Sequence, residues 1–402
     1  MTVIGPAEVA AAAELLAGVV ERTPMELSRA LSDLAGGPVY LKCENLQRAG
    51  SFKIRGAYVR MARLSEEEKA RGVVAASAGN HAQGVALAAR LLGVRATVYM
   101  PEGAALPKLA ATEHYGADVV MHGSTVDEAL VAAVAHSERT GAVLIHPFDH
   151  VDVVAGQGTV TLEILEQVPD VRTIVVPVGG GGLAAGVVAA LGDDHPDVDV
   201  IGVQAAGAAA WPASLAAGHP IPAGSMATMA DGIAVGRPGA VPFEVLSSRH
   251  VPIRTVSEED LSRALLLVAE RAKLLVEPSG AAGVAALIAG GEPIRTPAVV
   301  ILSGGNIDPL VLLRVVRHGL ASAGRYLSIR VRIDDSPGRL AALLADLASS
   351  GGNVMHVAHM RTSGDLAITE VDIAVQVETR GPKHCAAVLE HLRASGYRVL
   401  EG

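Results

Sequence analysis

Lys53 is the residue whose neighbours best prepare it for chemistry. It stands in Ser51-Phe52-Lys53-Ile54-Arg55-Gly56, between an aromatic and a branched aliphatic side chain. A lysine among apolar neighbours has a poorly solvated ammonium, so its pKa can fall and the free amine can act as a nucleophile. A second stretch, Gly179-Gly180-Gly181-Gly182-Leu183, follows the apolar run Thr173-Ile174-Val175-Val176-Pro177-Val178 and precedes an alanine-rich helical run. Four glycines there offer backbone N–H groups to an anion, with a helix N-terminus behind them. The flanks are valine- and alanine-rich, without serine or charge, so the run reads as packed structure rather than a flexible linker. An amine for an aldehyde and a cradle for a phosphate are what pyridoxal phosphate requires.

Three further motifs join them. Ser77-Ala78-Gly79-Asn80-His81 follows a strand-like run and opens a helix with Val85, Ala88, Ala89 and Leu92 on one face. Hydroxyl, amide and free backbone N–H groups at such a helix start can hold a carboxylate; helix capping by Ser77 or Asn80 is the plainer alternative. Ser303-Gly304-Gly305-Asn306 ends the run Val299 to Leu302, where a strand-terminal glycine turn would look the same. Glu277-Pro278-Ser279-Gly280-Ala281 precedes a helical run, with Ser279 an adequate cap and Glu277 open to a solvated role.

The elements that must position these residues follow from the pattern between about 70 and 320. Short β-branched runs (Gly72–Ala76, Ala96–Met100, Ala117–Met121, Thr173–Val178, Val198–Val203, Ala298–Leu302) alternate with longer alanine-rich helical runs. Continuous apolar strands joined by helices predict a parallel sheet buried on both faces, with ligands at the carboxyl ends of its strands. After Gly324 the pattern changes. Leu327, Ile329, Val331 and Ile333 alternate with Ser328, Arg330, Arg332 and Asp334, a strand with one wet face. Asp335-Ser336-Pro337-Gly338 turns into a helix with Leu340, Leu343, Leu344 and Leu347 on one face. Gly351-Gly352-Asn353 ends it, and two strands follow around a turn at Thr362-Ser363-Gly364-Asp365. A helix carrying Cys385, Val388, Leu389 and Leu392 and a last strand from Tyr397 to Leu400 complete a ferredoxin-like βαββαβ unit.

At 402 residues and 50% apolar content the chain can build two or three domains with real cores. Aromatics at 2% and a net charge of −9 argue against a nucleic-acid partner. No apolar run approaches the ~20 residues of a spanning helix, so no membrane partner is expected. The N-terminus carries no basic region followed by an apolar one, so no export signal is expected. Two cysteines, Cys43 and Cys385, exclude a disulfide scaffold and fit a reducing cytosol. A cytoplasmic enzyme is the expectation.

Taken together, Ser51 to Gly56, Ser77 to His81, the tetraglycine and Ser303 to Asn306 resemble the threonine/serine dehydratase group of the fold-type-II pyridoxal-phosphate enzymes, over roughly residues 5–320. The resemblance implies a tryptophan-synthase-β-like α/β fold with two open twisted, mostly parallel sheets. It implies a catalytic region over 1–320, divided into a large domain (about 1–71 and 149–320) and a smaller inserted one (about 72–148), in a homodimer or homotetramer. Lys53 would be the Schiff-base lysine, with Phe52 near the pyridine ring and Asn80 on the ring hydroxyl oxygen. Gly179, Gly180, Gly181 and Gly182 would hold the phosphate, and Ser303 would meet the pyridine nitrogen. Ser77, Ala78, Gly79, Asn80 and His81 would form the loop that receives the substrate carboxylate, with Glu277 close to the cofactor.

The implied activity is that of a threonine ammonia-lyase: α,β-elimination of water from L-threonine to give 2-oxobutanoate and ammonia. A hydroxyl at the ring nitrogen favours prompt elimination over transamination. Ile54 stands where cysteine and threonine synthases usually place aspartate, and Ala78 where racemase-like members carry a second proton-transferring hydroxyl. Val203-Gln204-Ala205-Ala206-Gly207 has no carboxylate for a divalent cation, so no metal is assigned. Residues 326–402 resemble an ACT domain, with Ser336, Pro337, Gly338 and Asn353 at its effector site. Such a module implies allosteric control by branched-chain amino acids, on a reaction feeding isoleucine biosynthesis or threonine catabolism. L-serine or hydroxyaspartate dehydration is an alternative within the family. A non-catalytic amino-acid sensor is another, and intact Lys53, Asn80, Gly179 to Gly182 and Ser303 speak against it.

Overall fold

In the computed structural model the β-branched runs become strands and the alanine-rich runs helices; the structure describes residues 4–361 and 366–401. The chain divides into two units, Met1–Val311 and Leu312–Gly402. The first holds two sheets. β1 (Met25–Leu27) and β2 (Val39–Lys42) begin the larger; β3 (Val73–Ala76), β4 (Ala96–Met100), β5 (Asp118–Met121) and β6 (Val143–Leu144) form the smaller. The chain then returns to the larger sheet with β7 (Thr173–Pro177), β8 (Asp199–Ala205), β9 (Ile253–Val256) and β10 (Ala298–Ile301). The orders are β1-β2-β10-β7-β8-β9 and β5-β4-β3-β6, and every pairing is parallel except β1 with β2.

β7 and β10 lie in the middle of the larger sheet and are buried at every residue, which is why they read as unbroken apolar runs. β5 departs from that expectation. It is an edge strand with β4 as its one neighbour, and Val120 and Met121 are exposed. Two cores result. Helices Val151–Gln167 and Gly182–Leu191 pack with β7 and β10 around Trp211, and Ile54, Ala57 and Met61 pack with Val73, Val98 and Met100 of the smaller sheet. Helix Lys53–Ala62 takes part in both cores, because its Val59 belongs to the first. Its first residue, Lys53, therefore starts where the two sheets meet.

The second unit contains β11 (Tyr326–Asp334), β12 (Asn353–Met360), β13 (Glu370–Glu378) and β14 (Arg398–Glu401), all antiparallel in the order β12-β13-β11-β14. Helices Arg339–Ser349 and Pro382–Ala394 complete a βαββαβ chain order, an arrangement consistent with an ACT-like module. Ile329, Val331, Leu343, Leu347, Val388 and Leu392 share its core. The wet face predicted for β11 is interrupted. Arg332 is buried and makes paired hydrogen bonds of 2.8 and 3.1 Å to Asp372, directly opposite on β13. A guanidinium satisfied by a cross-strand carboxylate can leave water, which alternation alone does not predict. The turn at Thr362–Asp365 lies outside the described residues.

Candidate active site

The carboxyl ends of β3, β7 and β10 meet in one cleft of about 440 Å³, within the range of small-molecule sites. Phe52, Lys53, Ser77, Ala78, Gly79, Asn80 and His81 line it, as do Gly179 to Gly182, Glu277 and Ser303. All of the residues singled out for cofactor and substrate thus share one cavity. Ser336, Pro337, Gly338 and Asn353 belong to the other unit. Gly338 (φ +87°) precedes helix Arg339–Ser349, and Asn353 Nδ2 donates to Glu378 at 3.1 Å.

Lys53 is set in place by backbone pairing. Phe52 N–H donates to the Ser303 carbonyl at 3.2 Å, Gly305 N–H to the Gly50 carbonyl at 2.9 Å, and Ser51 bridges Gly304. The segment is thereby stitched to the loop after β10, which brings the lysine and Ser303 into one wall. Two residues on, Arg55 is buried and makes a paired contact with Glu44, Nε to Oε2 at 2.8 Å and Nη2 to Oε1 at 2.9 Å. It also meets Glu163 at 2.7 Å, and Lys42 meets Glu163 at 2.6 Å. This buried network fixes the start of the helix against β2. Lys53 Nζ donates to the Pro147 carbonyl at 2.9 Å. Burial lowers its pKa to about 8, against the opposing pull of the Glu277 carboxylate.

Glu277 is buried, and its Oε2 has no hydrogen-bond partner among the described residues, nor has Ser279 Oγ beside it. Burial, reinforced by the Asp231 carboxylate, raises the Glu277 pKa to about 7. Asn80 Nδ2 donates to Glu277 Oε1 at 2.5 Å and Asn80 Oδ1 accepts from Asn306 Nδ2 at 2.8 Å. The helix that Asn80 begins is capped by neither Ser77 nor Asn80; Gly79 is the cap, and Ser77 Oγ accepts from the Gly79 N–H at 3.1 Å. Likewise Ser279 does not cap the helix after it, which starts at Ala282. The His81 ring is turned away from this loop's task. It is buried with Nε2 donating to the Ile145 carbonyl at 2.8 Å, and burial lowers its pKa to about 3, so it is neutral.

At its two middle positions the tetraglycine turn packs too closely for a side chain. A Cβ on Gly180 would fall 2.4 Å from the Phe148 ring, and one on Gly181 would fall 2.3 Å from Trp211. Gly181 also has φ +99°, a conformation that L side chains rarely adopt. The Gly179 carbonyl accepts from Trp211 Nε1 at 2.7 Å and the Gly180 carbonyl from the Gly239 N–H at 3.1 Å. In a trans peptide the N–H points opposite to its carbonyl, so the N–H groups of Gly180 and Gly181 face away from those partners. Helix Gly182–Leu191 adds first-turn N–H groups that no intrahelical carbonyl can take.

Sequence reasoning missed several lining residues: Lys108, His146, Phe148 and Asp231. Lys108 is buried and meets Asp231 Oδ2 at 2.5 Å. His146 Nδ1 accepts from the Asp149 N–H at 2.8 Å, so the ring proton sits on Nε2; burial lowers the pKa of this neutral ring. None of the four sits in a run with a chemical signature. Lys108 pairs with Asp231 123 positions away, and the Phe148 ring meets Gly180 and Gly239, so only folding shows their place in the cleft.

The donor set fits a phosphorylated aromatic aldehyde. It offers an N–H-rich turn without side chains, a desolvated amine and buried polar atoms still lacking partners. Among the described residues no group of His, Cys, Asp and Glu side chains could hold a metal ion, and no helix is long and apolar enough to cross a membrane.

Comparison with known proteins agrees. Residues 16–304 match the model of a family described as pyridoxal-phosphate dependent enzyme. An L-threonine ammonia-lyase of Thermotoga maritima is 46% identical over 384 residues, 96% of each chain. The crystal structure of a T.th. threonine deaminase has a TM-score of 0.72 and 41% identity, over 76% of this chain and 99% of that one. Maize serine racemase has a TM-score of 0.74 and 34% identity, over 80% and 99%.

Proposed function

The chain belongs to the pyridoxal-phosphate dependent enzymes, and from that footing we propose that it is an L-threonine ammonia-lyase, releasing 2-oxobutanoate and ammonia. The observation that carries the proposal is the shared cleft. A desolvated amine and a side-chain-free N–H turn face one cavity, in a chain whose relative of nearly equal length bears that name.

Pyridoxal phosphate, when bound, supplies an electron sink for the charge that develops at the substrate Cα. Lys53 would hold its aldehyde carbon. Gly179, Gly180, Gly181 and Gly182 would hold its phosphate, Asn80 its ring oxygen and Ser303 its ring nitrogen, with Phe52 beside the ring and Glu277 beside Asn80. With the amino acid bound, the Lys53 Nζ would be the base that takes the Cα proton. A pKa lowered to about 8 gives a larger share of free amine at neutral pH than an ordinary lysine has. Ser77, Ala78 and Gly79, with the backbone N–H groups of Asn80 and His81, would receive the α-carboxylate at the helix start. The net change is loss of the Cα proton and the β-hydroxyl together as water; the enamine set free tautomerises and takes up water to give ammonia and the 2-oxo acid. Racemisation needs a proton carrier on the opposite ring face, and Ala78 in the carboxylate loop has none.

The test is the product balance of purified protein loaded with pyridoxal phosphate. Threonine should yield 2-oxobutanoate and ammonia in equal amounts, with a higher kcat/KM than serine or hydroxyaspartate. Failure to release a 2-oxo acid from any of the three overturns the proposal.

A further inference from the structure

The cleft holds two lysine or arginine side chains among its lining residues, Lys53 and Lys108. Lys53 is reserved by the chemistry above. His81 and His146 present neutral rings, each with a ring nitrogen committed to backbone. An amino acid nevertheless brings a carboxylate into this space. Lys108 is the cation left to meet it.

Its placement fits. A Cβ on Gly79 would lie 3.4 Å from Lys108 Nζ, so the ammonium stands against the turn that opens helix Asn80–Leu92. The ammonium has three N–H donors and, among the described residues, one acceptor, Asp231 Oδ2 at 2.5 Å. Two donors therefore remain beside the loop where free helix N–H groups also point. Lys108 is buried while the Asp231 side chain is 60% exposed, so the pair is not a surface bridge between two solvated groups. Burying an ammonium with a single acceptor is costly, and the buried Glu277 carboxylate is the other charge in the cleft that interacts with it. The pair also crosses the cleft, since Lys108 rides on a helix of the smaller sheet and Asp231 on a turn of the larger lobe.

We propose that Lys108 is a specificity-determining residue: held across the cleft by Asp231, its ammonium selects amino acids with a free α-carboxylate over their uncharged analogues. The inference deepens the proposed function and rests on it for the class of substrate.

The experiment compares binding of L-2-aminobutanoate, which has no β-hydroxyl to lose, with binding of its amide. Both are titrated into holoenzyme of the parent, K108M and K108R, and pyridoxal-phosphate content is measured in each. The parent should bind the acid well and the amide poorly. K108M should lose at least about tenfold in affinity for the acid, the weight of a charge-assisted hydrogen bond, with the amide unchanged. K108R should stay within about threefold of the parent, and cofactor content should be equal in all three. K108M that binds acid and amide as the parent does, or a parent that does not discriminate between them, overturns the inference. Because this readout needs no elimination, a parent that binds the acid selectively but fails to turn over threonine would contradict the proposed reaction alone.

Discussion

Lys53 owes its usefulness to a place that disfavours its own charge. Burial outweighs the nearby Glu277 carboxylate and brings the pKa down to about 8. The neutral amine is the form that attacks an aldehyde, so the rate at which apoenzyme takes up pyridoxal phosphate should rise about tenfold per pH unit below 8 and level off above it. A lysine of ordinary pKa would keep gaining past pH 10. The single tryptophan, Trp211, is bonded to the glycine turn and provides the fluorescence signal for that measurement. Glu277→Gln removes the charge that supports the ammonium, and the midpoint should move lower. An unchanged midpoint would show that the carboxylate does not act on the amine. Lys53 was legible because its motif concentrates apolar neighbours in sequence. Lys108 and Asp231 were not, since their pairing depends on a contact across 123 positions.

At the scale of elements, two devices hold the lysine and the turn in register. The buried cluster of Arg55, Glu44, Glu163 and Lys42 anchors the helix that begins at Lys53. Arg55→Met would leave the buried Glu44 and the half-buried Glu163 beside one remaining cation, and stability should fall by about 3–5 kcal/mol in denaturant titration. A loss below about 1 kcal/mol would mean that the cluster is not the anchor. On the other side, Gly180→Ala drives a methyl group into the Phe148 ring. That ring is also hemmed in by Gly239 and stands edge-on to His146. Cofactor affinity should drop at least tenfold, equivalent to about 1–3 kcal/mol of overpacking, with Phe148→Leu in the same chain restoring part of it. Affinity equal to the parent's would place the phosphate elsewhere. The central strands β7 and β10 were legible because burial on both faces writes itself as continuous valine and isoleucine. β1, β2, β6 and β9 have two to four residues each and show no period. They take their structure from neighbours in the sheet.

At the scale of the molecule, the first unit carries the cleft, and the second is a four-stranded βαββαβ module. Alternation and helix periodicity made that module's core readable, while Arg332 escaped because a cross-strand carboxylate, not its own sequence, keeps it buried. We expect the module to bind a branched-chain amino acid near Ser336, Pro337, Gly338 and Asn353. Isoleucine or valine should then change the threonine concentration for half-maximal turnover of the full chain. Identical saturation curves with and without them would assign the module another role.

Whether one cofactor joins the Lys53 amine to the glycine turn is tested most directly by trapping. Protein loaded with pyridoxal phosphate is reduced with borohydride, digested, and its pyridoxyl-modified peptide identified by mass spectrometry. A single modified site, Lys53, is the predicted result. Modification of any other lysine in its place, with Lys53 recovered unaltered, would contradict it.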